Sequence, residues 1–525
     1  MFDNAVLEEV KQLKKENEKV VIMNKKKNNP FDVTKEVRRI TAESHKISDK
    51  DERIVFLKEQ VKLLNERTPK WLVVYLGDGI DFYFEHDIAG NEIIKRFNLV
   101  RYPLLSEGAV YEPNRGAWRY FGKREMKSLT EKEILVMLQK WGCYKEKYIS
   151  QVSRYIERMT YDRKYTKATP FEMSNPALVP FKNGTYNILT DAIEPHKAEN
   201  YILTYYDYEL DITGANTPAT DKFFHDFFGN SALYMKQFIG YTFYRSHAPS
   251  QEMVFLHGTG GEGKSSFITM LIENYVTSDN RTALTPQSLT SDKFAIVELL
   301  GRTLNASGDI SEGFIDDTSV LKRLTGADAS RGEYKGIQGF TFVSYAKHIF
   351  SMNEYFHFRD LSDGFADRLA IVPIEIGNQR LEGASFWLDH DLEAIKKESS
   401  AFVYSCIKEF MKVFDGKKAM FTQSEEMKKA KSRWLFDNDR IGQFVADSCE
   451  INVGDSRGDI ASVVYSEYVA FSRQSGFTPK SAPELTKWFE KKGIAKVRSR
   501  RGYDDGSSSQ WRYQGVQLKT TYLIA

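Results

Sequence analysis

Gly258-Thr259-Gly260-Gly261-Glu262-Gly263-Lys264-Ser265 is a complete G-x-x-x-x-G-K-S stretch, and its flanks decide how it is read. The apolar run 253–256 before it has the character of a buried strand, and 266–275 after it has the texture of a helix. Strand, glycine-rich loop and helix together predict a phosphate-binding P-loop. The glycines let successive backbone N–H groups turn inward, Lys264 reaches the β/γ oxygens, and the Ser265 hydroxyl is placed to hold Mg²⁺. Gly258, Gly260, Gly261, Glu262, Gly263, Lys264, Ser265 and Ser266 then form the contact set for a nucleoside triphosphate, expected to be ATP. A glycine-rich turn that matched by chance would not bring the strand and the helix with it.

At 525 residues the chain is too long for a single core, so three or more folded units are expected. With 41% apolar and 28% charged residues it has the composition of a soluble protein. No uninterrupted apolar stretch is long enough to cross a bilayer, and residues 1–19 are too charged for a secretory signal, so a cytoplasmic protein without a membrane partner is expected. Cys143, Cys406 and Cys449 lie far apart with no C-x-x-C pair, which argues against a zinc site or a disulfide framework and for reduced core residues. The net charge of +2 conceals local asymmetry, so any nucleic-acid surface must be argued from where the cations fall.

Working outward from the loop, the expected architecture is multidomain α/β. Residues 1–68 carry apolar positions at helical spacing, such as Val6, Val10, Leu13, Val55, Val61 and Leu64, broken at Lys25-Lys26-Lys27. Residues 70–215 form a small mixed region: short aromatic strands at 71–76 and 81–84, helices at 130–141 and 148–159, and a tight turn at Asn183-Gly184. Residues 218–425 hold the P-loop on a parallel sheet, entered by helical 223–244 and closed by helical 381–414. Residues 437–525 read as a winged helix. A helix at 463–472 is followed by a second, started by the capping box Ser481-Ala482-Pro483-Glu484 and ended at Gly493, then by strands 494–500 and 510–518.

A P-loop enzyme needs a further carboxylate at the end of a neighbouring strand. Asp309 follows the strand-like Leu304-Asn305-Ala306-Ser307-Gly308; Glu312, Asp316 and Asp317 are the other acids nearby, and a helix cap is the plainer reading of Asp309. A helix ending at Gly326 leads to a glycine-punctuated hairpin carrying Arg331 and Lys335, cations that suit a phosphate backbone. Residues 347–352 read as a third buried strand ending at Asn353, an amide suited to orienting water or sensing a phosphate. Arg368 follows a Ser362-Asp363-Gly364 loop, where a guanidinium can stabilise charge in a neighbouring subunit's site. In the last segment Lys496, Arg498 and Arg500 alternate along one strand, with Lys487, Lys491, Arg501 and Arg512 on the neighbouring helix and return strand, a surface that suits duplex DNA.

The order of these pieces identifies a family. The run from Gly258 to Arg368 resembles the superfamily 3 helicases, most closely the branch of phage, mobile-island and poxvirus-type primase–helicases, and the likeness extends over nearly everything from Trp71 onward. Phe181-Lys182-Asn183-Gly184-Thr185-Tyr186 and Ile239-Gly240-Tyr241 resemble the region that precedes the ATPase in this branch. Leu324-Thr325-Gly326-Ala327-Asp328 and Phe350-Ser351-Met352-Asn353-Glu354 resemble its later motifs. The resemblance implies an AAA+ fold with Lys264 and Ser265 on ATP and Mg²⁺, Asp309 as the Walker B acid and second metal contact, Asn353 as sensor 1 and Arg368 as the arginine finger. Arg359 in Phe358-Arg359-Asp360 is the alternative finger, and Lys335 is implied on a hairpin that grips single-stranded DNA in a ring's pore. Where a fuller Walker B ends in two acids this chain has Gly308-Asp309, so Asp309 serves alone or Glu262 or Glu312 helps.

The expectation is thus an ATP-driven DNA-unwinding motor, a homo-oligomeric ring and most simply a hexamer, replicating a phage or mobile element in a bacterial cytoplasm, with priming left to a separate chain. An origin-binding initiator, in which ATP controls assembly and the winged helix binds a specific duplex site, is the second reading. A packaging or transport ATPase is a distant third, disfavoured by the run from Asn353 to Arg368.

Overall fold

The computed structural model describes residues 31–101, 108–121, 123–162, 169–308, 310, 314–315, 317–333, 339–358, 360, 362–499 and 509–519. They form two compact units, the described part of Met1–Ser174 with His196–Leu203, and Asn175–Pro195 with the described part of Thr204–Ala525. The expected boundary at 215 therefore moves: most of 175–215 folds with the second unit.

In the first unit, helices Val33–Ser44 and Lys50–Arg67 start at Asp32 and Asp49, whose carboxylates accept from backbone N–H groups of the first turn. An antiparallel pair, Leu72–Leu76 with Ile80–Phe84, a three-stranded antiparallel sheet and helices Lys123–Lys140 and Glu146–Met159 follow. Trp71, Phe84, Leu138, Tyr148 and Val152 sit in its shared core.

The second unit is organised by a five-stranded, wholly parallel sheet. In chain order its strands are β1 (Met253–His257), β2 (Arg281–Thr282), β3 (Leu304–Ser307), β4 (Lys347–Met352) and β5 (Leu369–Pro373), arranged 2-3-4-1-5. Both faces are covered, which is why β1 and β5 read as near-continuous apolar runs. Val254, Leu256, Ile349, Ala370 and Val372 enter a core with helices α1 (Pro218–Phe228), α2 (Ala232–Thr242) and α5 (Leu392–Val413). Met253, Phe255, Phe350, Leu369 and Ile371 enter another with α4 (Ser319–Thr325) and Trp434 of α6 (Glu425–Asn438). The glycine-rich loop after β1 is followed by α3 (Lys264–Leu271) and one π-helical turn, Ile272–Val276.

Three expected elements differ. Residues 223–244 are two helices, because Gly229 adopts φ +51° after α1. Residues 381–391 are turns, and α5 starts only where Asp391 caps it by accepting from Ala394 N–H. The strand expected over 510–518 is broken at Gln514-Gly515. Gln510–Tyr513 pairs with Lys496–Ser499, whereas Val516–Leu518 pairs with Cys449–Ile451.

The last part of this unit has its own core of Ile441, Phe444, Val464, Tyr468, Leu485, Phe489 and Tyr513. It comprises α7 (Arg440–Ser448), α8 (Ala461–Gln474), α9 (Ala482–Lys491) and the hairpin β6 (Lys496–Ser499) and β7 (Gln510–Tyr513). The capping box at Ser481 and Glu484 forms as the sequence predicts. Among the described residues no helix is long and apolar enough to cross a membrane.

Lys347, at the start of β4, is fully buried, and its ammonium donates to the carbonyls of Tyr244 at 2.7 Å, Tyr345 at 2.8 Å and Ser246 at 3.0 Å. Burial pushes its pKa well below the ordinary lysine value. Lys347→Ala strands three carbonyls and leaves a void, so urea denaturation should show the protein losing roughly 3 kcal/mol of stability.

Candidate functional site

The C-terminal ends of β1, β3 and β4 converge, as expected of the ligand-binding edge of a parallel sheet. After β1 the chain turns through Gly260, Gly261 and Gly263 at φ +105°, +86° and +95°, conformations closed to most side chains, and Gly263 caps α3. The loop is enclosed as well as turned. A Cβ on Gly263 would lie 2.5 Å from the Trp387 ring, and one on Gly258 would lie 2.8 Å from the Glu262 carboxylate. Gln379 N–H donates to Gly261 O at 2.9 Å, and Trp387 Nε1–H donates to Glu262 O at 3.2 Å. The segment 376–391, expected to be partly helical, is thus the clasp over the loop.

Lys264 is buried, with Nζ donating to Glu262 Oε2 at 2.7 Å and to Asn353 Oδ1 at 2.8 Å. The second bond brings Asn353, which is exposed just after β4, against the lysine that follows the loop after β1. Ser265 Oγ donates to Gly308 O at 2.8 Å, so the hydroxyl lies against the residue that precedes Asp309. Ser266 follows on α3 and is exposed. Asp309, Glu312, Asp316, Lys335, Arg359, Arg500 and Arg501 lie outside the described residues.

Glu262 is 1% exposed. Besides Lys264 it accepts from Gly260 N–H at 2.9 and 3.1 Å and from Thr259 Oγ at 3.0 Å. Burial alone would raise its pKa, but the donations from Lys264, its own backbone N–H and Thr259 outweigh this and bring it to about 2. Beside the loop, His257 stacks on Tyr355 at 4.3 Å and Tyr355 on Trp434 at 5.3 Å; burial and then the Lys264 charge lower the His257 pKa.

Arg368 immediately precedes β5, on the sheet edge opposite the glycine-rich loop, and its carbonyl accepts from Met253 N–H at the start of β1. Its guanidinium is half-buried over the C-terminal end of α4, donating to Thr325 Oγ at 2.9 Å, to Lys322 O at 3.4 Å and to Gly364 O. Arg331 sits in the antiparallel hairpin Ala329–Gly332 with Phe340–Val343, exposed and paired with Glu333 at 3.1 Å.

On α9, Leu485 and Phe489 are buried while Lys487 and Lys491 are exposed. The hairpin register sets Lys496 opposite Tyr513 and Arg498 opposite Trp511, so both cations share a face with an indole that is 52% exposed. Arg512 is a correction. It lies opposite Val497 on the other face, buried, with Nη1 donating to Gly458 O at 3.4 Å, and so takes no part in the cationic surface.

Comparison with known proteins adds two family matches. Residues 256–368 match a family of unknown function (DUF5906), and residues 96–229 match the family described as D5 N terminal like. The first match starts at the end of β1 and stops at Arg368, the same run of residues that carries the motifs above. No curated protein matches the chain. Among solved structures, the A form of the apo NrS-1 C-terminal region is similar at 11% identity and a TM-score of 0.41, covering 81% of this chain and 98% of that one. Another apo structure of the same region is similar at 10% identity and a TM-score of 0.39, covering 83% and 100%.

Gly263→Ala should cost about 1–3 kcal/mol from its positive φ alone, and more from the collision with Trp387. Gly214→Ala, at φ +76° with nothing within 4 Å, should show the backbone part only. Thermal melting of both variants, with amide exchange over 258–266, separates the two contributions.

Proposed function

We propose that the chain is an ATP-hydrolysing DNA motor of the superfamily 3, AAA+ type, working in phage-type DNA replication. The observation that carries the reading is the meeting of Lys264 with Asn353 across 89 positions of sequence, beside Ser265 against Gly308. A lysine in a glycine loop, a strand-end amide and a hydroxyl next to an acid are the parts that phosphoryl transfer to water requires. The loop also meets a test of fit: its backbone N–H of Gly260 and its lysine already hold an anionic group, the Glu262 carboxylate. The D5-type match over 96–229 supports a replication protein.

In this reading the loop glycines and Lys264 bind and orient the triphosphate, while Ser265 and Asp309 are the residues that would hold Mg²⁺, which supplies charge neutralisation at the phosphates. Asn353 positions the attacking water. Arg368, on the far edge of its own sheet, serves the site of the next copy in a head-to-tail ring, for which a hexamer is the simplest closed form. Arg331 and Lys335 contact single-stranded DNA, and Lys487, Lys491, Lys496 and Arg498 bind duplex phosphates from a winged helix, a role the sequence extends to Arg500 and Arg501. The separate core of this last part favours, as a second activity, duplex binding that loads the motor at an origin.

Lys264→Ala should abolish ATP hydrolysis and strand displacement; unchanged hydrolysis would refute the motor. Arg368→Ala should be inactive alone, with Arg368→Lys as a control that keeps a cation over α4. Mixing Arg368→Ala with Lys264→Ala should restore activity at about a quarter of the sites, since each competent site then draws Lys264 from one copy and Arg368 from another. If Arg368→Ala alone hydrolyses ATP normally, or the mixture of the two inactive variants stays dead, the finger assignment is wrong. Neutralising Lys487 and Lys491 together should lower the salt dependence of duplex binding by about two units of log–log slope without altering hydrolysis.

A further inference from the structure

The anion position of the loop is filled by the chain itself. Glu262 Oε2 takes the Lys264 ammonium at 2.7 Å, Oε1 takes Gly260 N–H at 2.9 Å and the Thr259 hydroxyl at 3.0 Å, and the carboxylate nests against bare backbone at Gly258. A backbone N–H of the loop and its lysine are the donors that a P-loop offers to phosphate. We infer that Glu262 is a built-in competitor of the nucleotide's phosphates, which must leave the loop before a di- or triphosphate can enter it. The inference rests on the reading of this loop as a nucleotide site.

Two electrostatic requirements support it. Lys264 is only 5% exposed, and a buried ammonium without a counter-charge is costly, so with no ligand the loop needs an anion of its own. Once phosphate oxygens reach Lys264, a second anion in the same enclosed space is repelled, so the two occupants exclude one another. The release is local. Glu262 is tied to the loop through the side chain of Thr259, one N–H and Lys264, while its backbone carbonyl stays clasped by Trp387. Nucleotide binding therefore requires a side-chain rotation rather than remaking of the loop. The role also selects ligands. Nucleotides long enough to reach Lys264 must expel the carboxylate, whereas a monophosphate need not.

The test is equilibrium binding of ATP, ADP and AMP to the full chain and to Glu262→Gln, which keeps the shape and removes the charge. ATP and ADP should each bind on the order of tenfold tighter to the variant, with AMP unchanged. Without ligand the variant should melt lower, because Lys264 loses its counter-charge, and its melting temperature should rise further than that of the wild type when ADP is added. Thr259→Val keeps the carboxylate but loses one of its donors. It should tighten ATP and ADP about twofold to fivefold and serves if Glu262→Gln folds poorly. Weaker or equal binding of ATP and ADP by both variants overturns the inference and makes Glu262 a structural part of the loop. Absence of ATP and ADP binding to the wild type and both variants removes the nucleotide reading and this inference with it.

Discussion

Everything in the second unit depends on burying β1 on both faces. Met253 and Phe255 point into one apolar core, Val254 and Leu256 into the other, and its neighbours β4 and β5 repeat the alternation. A strand so enclosed can present polar chemistry only at its ends. The parallel arrangement then gathers the ends of one sense along one edge, and Lys264, Gly308 and Asn353 meet there although 89 residues separate the first from the last. The site is a by-product of how the sheet is covered.

Two buried lysines lie beside one another's strands, Lys347 at the start of β4 and Lys264 at the start of α3 after β1, and their partners differ in kind. Lys347 is held by three main-chain carbonyls, which cannot move without unpicking β4 and the turn after α2. Lys264 is held by a carboxylate and an amide, both on side chains that can rotate away. A buried cation fixed by backbone is locked to one set of contacts. A buried cation fixed by side chains can exchange them, and Lys264, of this second kind, lies at the edge where the C-terminal ends of β1, β3 and β4 gather.

Much of this was legible in the sequence because the strongest signals are local. The strand–loop–helix around Gly258–Ser265, the Asn183-Gly184 turn, the capping box at Ser481 and the strand ending at Asn353 each depend on a few neighbouring residues. What was misread depends on partners distant in sequence. The run 510–518 looked like one strand, but Gly515 at φ +72° packs against the Asn452 carbonyl and splits it between two partners. Arg512 was grouped with the basic face by composition, whereas period-two alternation already set it apart from Trp511 and Tyr513. Within the run 381–414, expected to be helical, Gly383 takes a positive φ and Trp387 is spent on the loop, so the helix forms only from Leu392. Glu262 was read as a phosphate contact from its place in the motif. That its carboxylate fills the anion position is a matter of side-chain conformation, which no spacing encodes.

The position of Arg368 follows from the same covering of the sheet. β5 runs parallel to β1, so the residue before β5 lies beside the start of β1, while the glycine-rich loop lies beyond its end. Five residues of extended chain separate the two edges by roughly 16 Å, with a packed core on either face. A guanidinium seated on the C-terminal end of α4 cannot pass through that core to its own loop, and its donors already have partners in Thr325 and the Lys322 carbonyl. For Arg368 to act on a nucleotide at all, that nucleotide must be bound by another copy of the chain.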